Sequence, residues 1–188
     1  GNMDFSDDSV TAGGANNILL DTTTSGNIVL GALNAAGDGV TIDSVGYIDD
    51  DGNDAADAGV TADITAATVI MDAANGIGGG GLIELASATT VDVDNTGDAN
   101  VDISNRASAP VTVSSLSTGG TGTIDYSQTN NETVSVTSAV SAGGTITLSN
   151  AGADLTAVTV TAGGAGAGDG NVVLTTTGAG DVLVDAVS

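Results

Sequence analysis

Six triplets between residues 91 and 148 decide the fold: Val91-Asp92-Val93, Val101-Asp102-Ile103, Val111-Thr112-Val113, Ile124-Asp125-Tyr126, Val134-Ser135-Val136 and Ile146-Thr147-Leu148. They return about every ten to twelve residues, with apolar outer positions and Asp, Thr or Ser between them. Alternation over so few residues predicts short half-buried strands, outer residues turned inward and the middle residue facing water. The rhythm continues through Val158-Thr159-Val160, Val172-Val173-Leu174 and Val182-Leu183-Val184. It begins at Ile18-Leu19-Leu20, Ile28-Val29-Leu30 and Val40-Thr41-Ile42, separated by Gly, Asn, Asp, Ser and Ala. Those residues reach positive φ or bond to local backbone, and so make turns.

Near-constant spacing points to stacked repeats rather than a globular core. Alternate triplets lie about 20 to 26 residues apart, so two or three strands make one rung. The expected fold is all-β: a parallel β-solenoid, a right-handed β-helix of about eight short rungs and roughly 40 Å of rod. Val91 then stacks near Val111, and Val101 near Ile124. The alternative is tandem Ig-like β-sandwiches, whose strands recur at similar spacing but are longer and often carry a large aromatic in the core. Only Phe5, Tyr47 and Tyr126 are aromatic here, which favours the narrow solenoid interior.

The rhythm breaks once. Residues 46–59 read GYIDDDGNDAADAG, the acidic cluster and the expected protruding loop. Residues 60–71 are rich in Ala and Thr and suggest at most a short helix. Four glycines at 78–81 close the irregular zone, and Leu82-Ile83-Glu84-Leu85 restarts the pattern. The chain, residues 1–188, therefore reads as a single β-solenoid segment with an irregular acidic and Gly-rich insertion at about 46–81. Because the triplet is still running at 182–184, it reads as a segment of a longer protein.

Charge narrows the function. The 188 residues include 24 acidic side chains and a single basic one, Arg106, for a net charge of −23. Phosphate backbones need Lys and Arg, so nucleic acid is excluded as a partner, and anionic membrane surfaces are repelled likewise. No apolar run reaches the length of a membrane span, so no membrane insertion is expected. Forty per cent of residues are apolar and recur at strand spacing, which argues against an acidic disordered chain.

The chemistry available is limited. The chain has no His and no Cys, which removes Ser-His-Asp and Cys-His catalysis and the usual zinc ligands. A β-helical lyase needs a strong base, and Arg106 in a turn between strands reads as a surface residue. A glycosidase needs paired carboxylates and usually aromatic sugar platforms, which are scarce here. The expectation is that the chain is not an enzyme. Calcium is the one ion its oxygen donors suit. Asp49, Asp51, Asn53, Asp54 and Asp57 cluster hard oxygen ligands, although Asp54 stands where an EF-hand needs glycine and no Glu closes the loop. Asp102 and Asp125 are expected on neighbouring rungs of one face. At about 5 Å in water they repel by roughly 0.8 kcal/mol, tolerable with or without a cation. Outward threonines such as Thr112, Thr147 and Thr159 lack the regular pairing an ice-binding face needs.

Three stretches carry a resemblance to known proteins: GNIVLGALNAAGDGVTIDS at 26–44, AGGANNILLDTTTSG at 12–26, and the run from Ser141 to Ser188. Each passes from a Gly, Asn or Asp turn to an apolar-Thr-apolar strand and back to small residues. This grammar resembles filamentous haemagglutinin-type exoproteins and related giant bacterial adhesins, over most of the chain outside about 46–80. The Asn-Pro motifs of their secretion module are absent here. The resemblance implies an interior rod segment of a secreted or cell-surface bacterial protein, serving cell adhesion or presentation of a distal binding region. It leaves the host or neighbouring-cell ligand unspecified. Open rung ends imply end-to-end self-association, while outward charge keeps rods from sticking side to side. A calcium-binding extracellular module and a carbohydrate-active β-helix are the alternative functions.

Overall fold

The computed structural model describes residues 1–6, 8–50, 62–163 and 170–188. Seventeen strands occupy them, in order β1 Met3–Asp4, β2 Ser9–Thr11, β3 Ile18–Thr22, β4 Ile28–Leu30, β5 Ala32–Ser44, β6 Ile48–Asp50, β7 Ile64–Ala73, β8 Ile83–Ala86 and β9 Thr90–Asn95. They continue with β10 Val101–Asn105, β11 Val111–Thr118, β12 Ile124–Gln128, β13 Val134–Ser141, β14 Ile146–Gly152, β15 Leu155–Ala162, β16 Val172–Gly178 and β17 Val182–Val187. No helix occurs among the described residues, and none is therefore long and apolar enough to cross a membrane.

Every strand pair among the described residues is parallel and joins one coil to the next. The fold is a parallel β-solenoid with three faces. One column of the first face runs Met3, Ile28, Ile48, Ile77, Val101, Ile124, Ile146, Val172. A column of the second runs Val10, Leu33, Ile64, Leu85, Asn105, Gln128, Asn150, Thr176. A column of the third runs Leu20, Ile42, Met71, Val93, Leu116, Ala139, Val160, Val187. Each column has eight positions joined by seven coil-to-coil steps, so the stack is about seven turns, in line with the expected short-runged solenoid, and about 34 Å long at strand spacing.

The triplets behave as their alternation requires. Val101 and Ile103 are buried with Asp102 outside, and Ile124 and Tyr126 are buried with Asp125 outside. Val101 stacks on Ile124 as expected, whereas Val91 stacks on Val113 rather than Val111. Ser114 is an extra residue in β11, its Oγ donating to the Val91 carbonyl at 3.1 Å. Such a bulge shifts inward parity by one residue beyond it. The coils above keep that spacing: Val136 is followed inward by Ala139, and Ala157 by Val160. Hence Val158, expected inside, is 36% exposed. The segment read as a short helix is strand β7, with Ile64, Val69 and Met71 fully buried.

Tight corners need glycine at specific points. A Cβ on Gly144 would sit 2.0 Å from the Gly122 carbonyl oxygen, and one on Gly122 2.1 Å from that of Ala99. The chain therefore approaches the coil below backbone to backbone at this corner. The apolar interior of the described coils is Val, Ile, Leu and Ala with Met71 and one fully buried aromatic, Tyr126, at 0% exposure. Each fully buried aliphatic side chain contributes about 1.5–3 kcal/mol. In β17, Val182, Val184 and Val187 are 40%, 41% and 52% exposed, with no described strand paired beyond them.

Candidate functional site

Two adjacent coils have long connections in the chain at the corner between the first and second faces. At this corner the later coils have short paths, as from Val101 to Asn105 or Ile124 to Gln128. In one coil the path runs from Ile48 to Ile64, and in the next from Ile77 to Leu85. Both connections join the same two columns, on adjacent coils. The expected interruption at 46–81 is thus crossed by β6, by β7 and by the Ile77 bridge, which joins Ile48 to Val101.

Acidic groups gather at the ends of these connections. Asp49 is the outward middle residue of β6, and its Oδ1 accepts the amides of Gly80 and Gly81, both at 2.9 Å. Asp50 follows with inward parity and is 7% exposed; Asp63, directly before β7, is 5% exposed. Their side chains hydrogen-bond to each other, and Asp63 Oδ2 also accepts the Glu84 amide at 2.7 Å. Burial pushes the Asp63 carboxyl up to about 8, with the charges of Asp50 and Glu84 adding to the rise and the Glu84 amide opposing it. Two ionised carboxylates have no donor between them, so this bond requires a proton.

Of the proposed calcium ligands, only Asp49 is described, and it caps two amides. Asp51, Asn53, Asp54 and Asp57 lie outside the described residues. Among the described residues no three acidic side chains converge in a geometry suited to a metal ion.

Register also creates a carboxylate file along the outside of the third face: Asp21, Asp43, Asp72 and Asp94 on four successive coils. Burial, and then the charges of Asp94, Asp43 and Asp92, push the Asp72 carboxyl above its usual range. The file ends where Ser115 and Ser117 donate to Asp94 Oδ1 at 2.7 and 2.6 Å. Asp102 and Asp125 are register partners, and partial burial raises the Asp125 carboxyl.

Sequence reading missed the buried polar groups. Asn105, Gln128 and Asn150 occupy inward positions of successive coils, each at most 1% exposed. Their amides tie down corner loops: Asn105 donates to the Ala88 carbonyl at 2.8 Å, Gln128 to Ala107 at 2.8 Å, and Asn150 to Glu132 at 2.9 Å. At another corner Asn95 donates to the Ala99 carbonyl at 2.7 Å, and Ser141 to Gly122 at 2.9 Å. Strand parity was the available signal, since Asn105 follows Val101 and Ile103 in phase.

No protein-family model, curated protein or solved structure matches this chain. The fold itself defines the class, a parallel β-solenoid.

Proposed function

We propose that the chain is a structural rod segment of a secreted or cell-surface bacterial adhesin-like protein. Its role is to hold a distal binding region at a set distance. The observation that supports this reading is the stacking of three columns through the described coils, with carboxylates on the outside. Length in such a stack scales with coil number, because each coil contacts only its neighbours. The outward charge keeps the sides soluble and mutually repelling. The grammar shared with filamentous haemagglutinin-type proteins supports the same role.

The test separates spacing from surface recognition. The chain is inserted between a surface anchor and a tagged binding module on bacterial cells, and adhesion reach is compared with that of variants lacking one coil. Substituting Asp102, Asp125 and Thr147 with Ser should leave adhesion intact, while coil number sets the reach. Micromolar binding of a glycan along the first face, lost in that triple variant, would replace the rod with the carbohydrate-active reading.

A further inference from the structure

Asn-Gly and Asp-Gly junctions are the chemically weakest points of a long-lived chain, because glycine leaves its amide nitrogen unshielded. Two such junctions lie wholly within the described residues, Asp38-Gly39 and Asn75-Gly76. In both, the glycine N–H donates to the side-chain oxygen of an asparagine from a neighbouring coil. Gly39 donates to Asn17 Oδ1 at 2.9 Å, and Gly76 to Asn95 Oδ1 at 2.9 Å.

We propose that Asn75 is a latent deamidation site whose guard in the folded state is the side chain of Asn95. The Asn75 side chain is exposed, while Gly76 is buried at φ +111°. The junction is held on three sides: the Asn75 amide donates to the Gly46 carbonyl at 2.9 Å, the Gly76 carbonyl accepts from Ile48 at 3.0 Å, and the Gly76 amide meets Asn95. Asn95 is itself fixed, 1% exposed, with its Nδ2 donating to Gly97, Ala99 and Thr118 Oγ1 at 3.2, 2.7 and 3.3 Å.

The guarded reaction is intramolecular. The Gly76 nitrogen loses its proton and bonds to Asn75 Cγ; the Cγ–Nδ2 bond breaks and ammonia leaves, giving a five-membered succinimide. Water then opens the ring to aspartate or isoaspartate. Attack requires the Gly76 nitrogen to give up its proton and swing toward Cγ, and both are blocked while Asn95 Oδ1 holds the N–H. Opening of this corner exposes the junction. Isoaspartate adds a main-chain methylene at residue 75, with only Gly76 between it and Ile77, the single-residue bridge between the Ile48 and Val101 coils. One local opening then becomes a permanent break in register.

The full chain is incubated at mildly alkaline pH, folded and in concentrated urea, and followed by intact mass and isoaspartate mapping. Conversion at Asn75 should be about tenfold or more slower in the folded chain. Equal rates in the two states overturn the proposal, as does a mass gain that persists at the same rate in unfolded Asn75→Gln. Folded Asn95→Ala should convert at close to the urea rate; an unchanged slow rate overturns the guard. If Asn95→Ala does not fold, the wild-type rate in subdenaturing urea decides. It should rise in step with hydrogen exchange of the Gly76 amide, and a rate independent of that exchange overturns the proposal.

Discussion

Asp50, the last residue of β6, and Asp63, directly before β7, hydrogen-bond to each other inside the wall of the coil. They bracket residues 51–62 in the chain, so one shared proton links the end of β6 to the start of β7.

This proton sets the sign of a pH dependence. Asp63 titrates at about 8 in the folded chain and near 4 when unfolded, so the folded state binds more protons between those values. Its contribution to stability is full below about pH 4 and is lost as pH rises through about 8. Thermal unfolding across this range should show a melting temperature that falls with rising pH, by about 2–4 °C for each kcal/mol lost. Asp63→Asn should flatten that fall. A wild-type profile that rises toward pH 8 would contradict the shared proton.

The carboxylate file on the third face makes a separate prediction. Asp72 stands between Asp43 and Asp94 in register, and like charges directly opposite each other destabilise a sheet. Asp72→Asn should stabilise the chain by roughly 0.5–1 kcal/mol at low salt, with the gain shrinking as salt is added. Denaturant titrations at two ionic strengths measure both.

Arg106 gives a probe of the corners. Its amide donates to the Leu85 carbonyl at 2.9 Å, and the carbonyl of the next residue, Ala107, accepts from Gln128 at 2.8 Å. Native protein should resist trypsin although Arg106 is its sole basic side chain. Gln128→Leu leaves the Ala107 carbonyl without that donor, at a cost of about 1–3 kcal/mol. Cleavage after Arg106 should then accelerate, read by gel and mass.

Chelation tests the calcium alternative. Asp49 spends its Oδ1 on two amides, and the rod account expects the melting temperature to be unchanged by EDTA or by added calcium. A fall with EDTA that is restored by calcium would favour the calcium-binding module.

The regular part of the fold was legible from triplet parity alone, which placed Val101 on Ile124 and Asp102 on Asp125. Parity was misread at Val158 because β13 and β15 keep the extra residue that begins at Ser114 in β11, and an apolar residue there leaves the apolar-polar pattern looking intact. Residues 60–71 looked helical because Ala and Thr dilute the strand signal, yet Ile64, Val69 and Met71 stack on the coils around them. The buried carboxylates and the inward amides were hidden by the rule that polar residues face water. Asp50 and Asn105 violate it because one carboxyl partner or one corner carbonyl waits inside for each.

The central claim is that coils are interchangeable units of a stack. Excision of residues 124–145 tests it most directly. Gly122-Thr123-Ile124 and Gly144-Thr145-Ile146 are identical junctions, and Ile124 pairs with Ile146 in register. The account predicts a chain that still folds cooperatively with β circular dichroism and is shorter by about 4.8 Å in small-angle scattering. A chain that loses its cooperative transition, or whose length does not change, would contradict it.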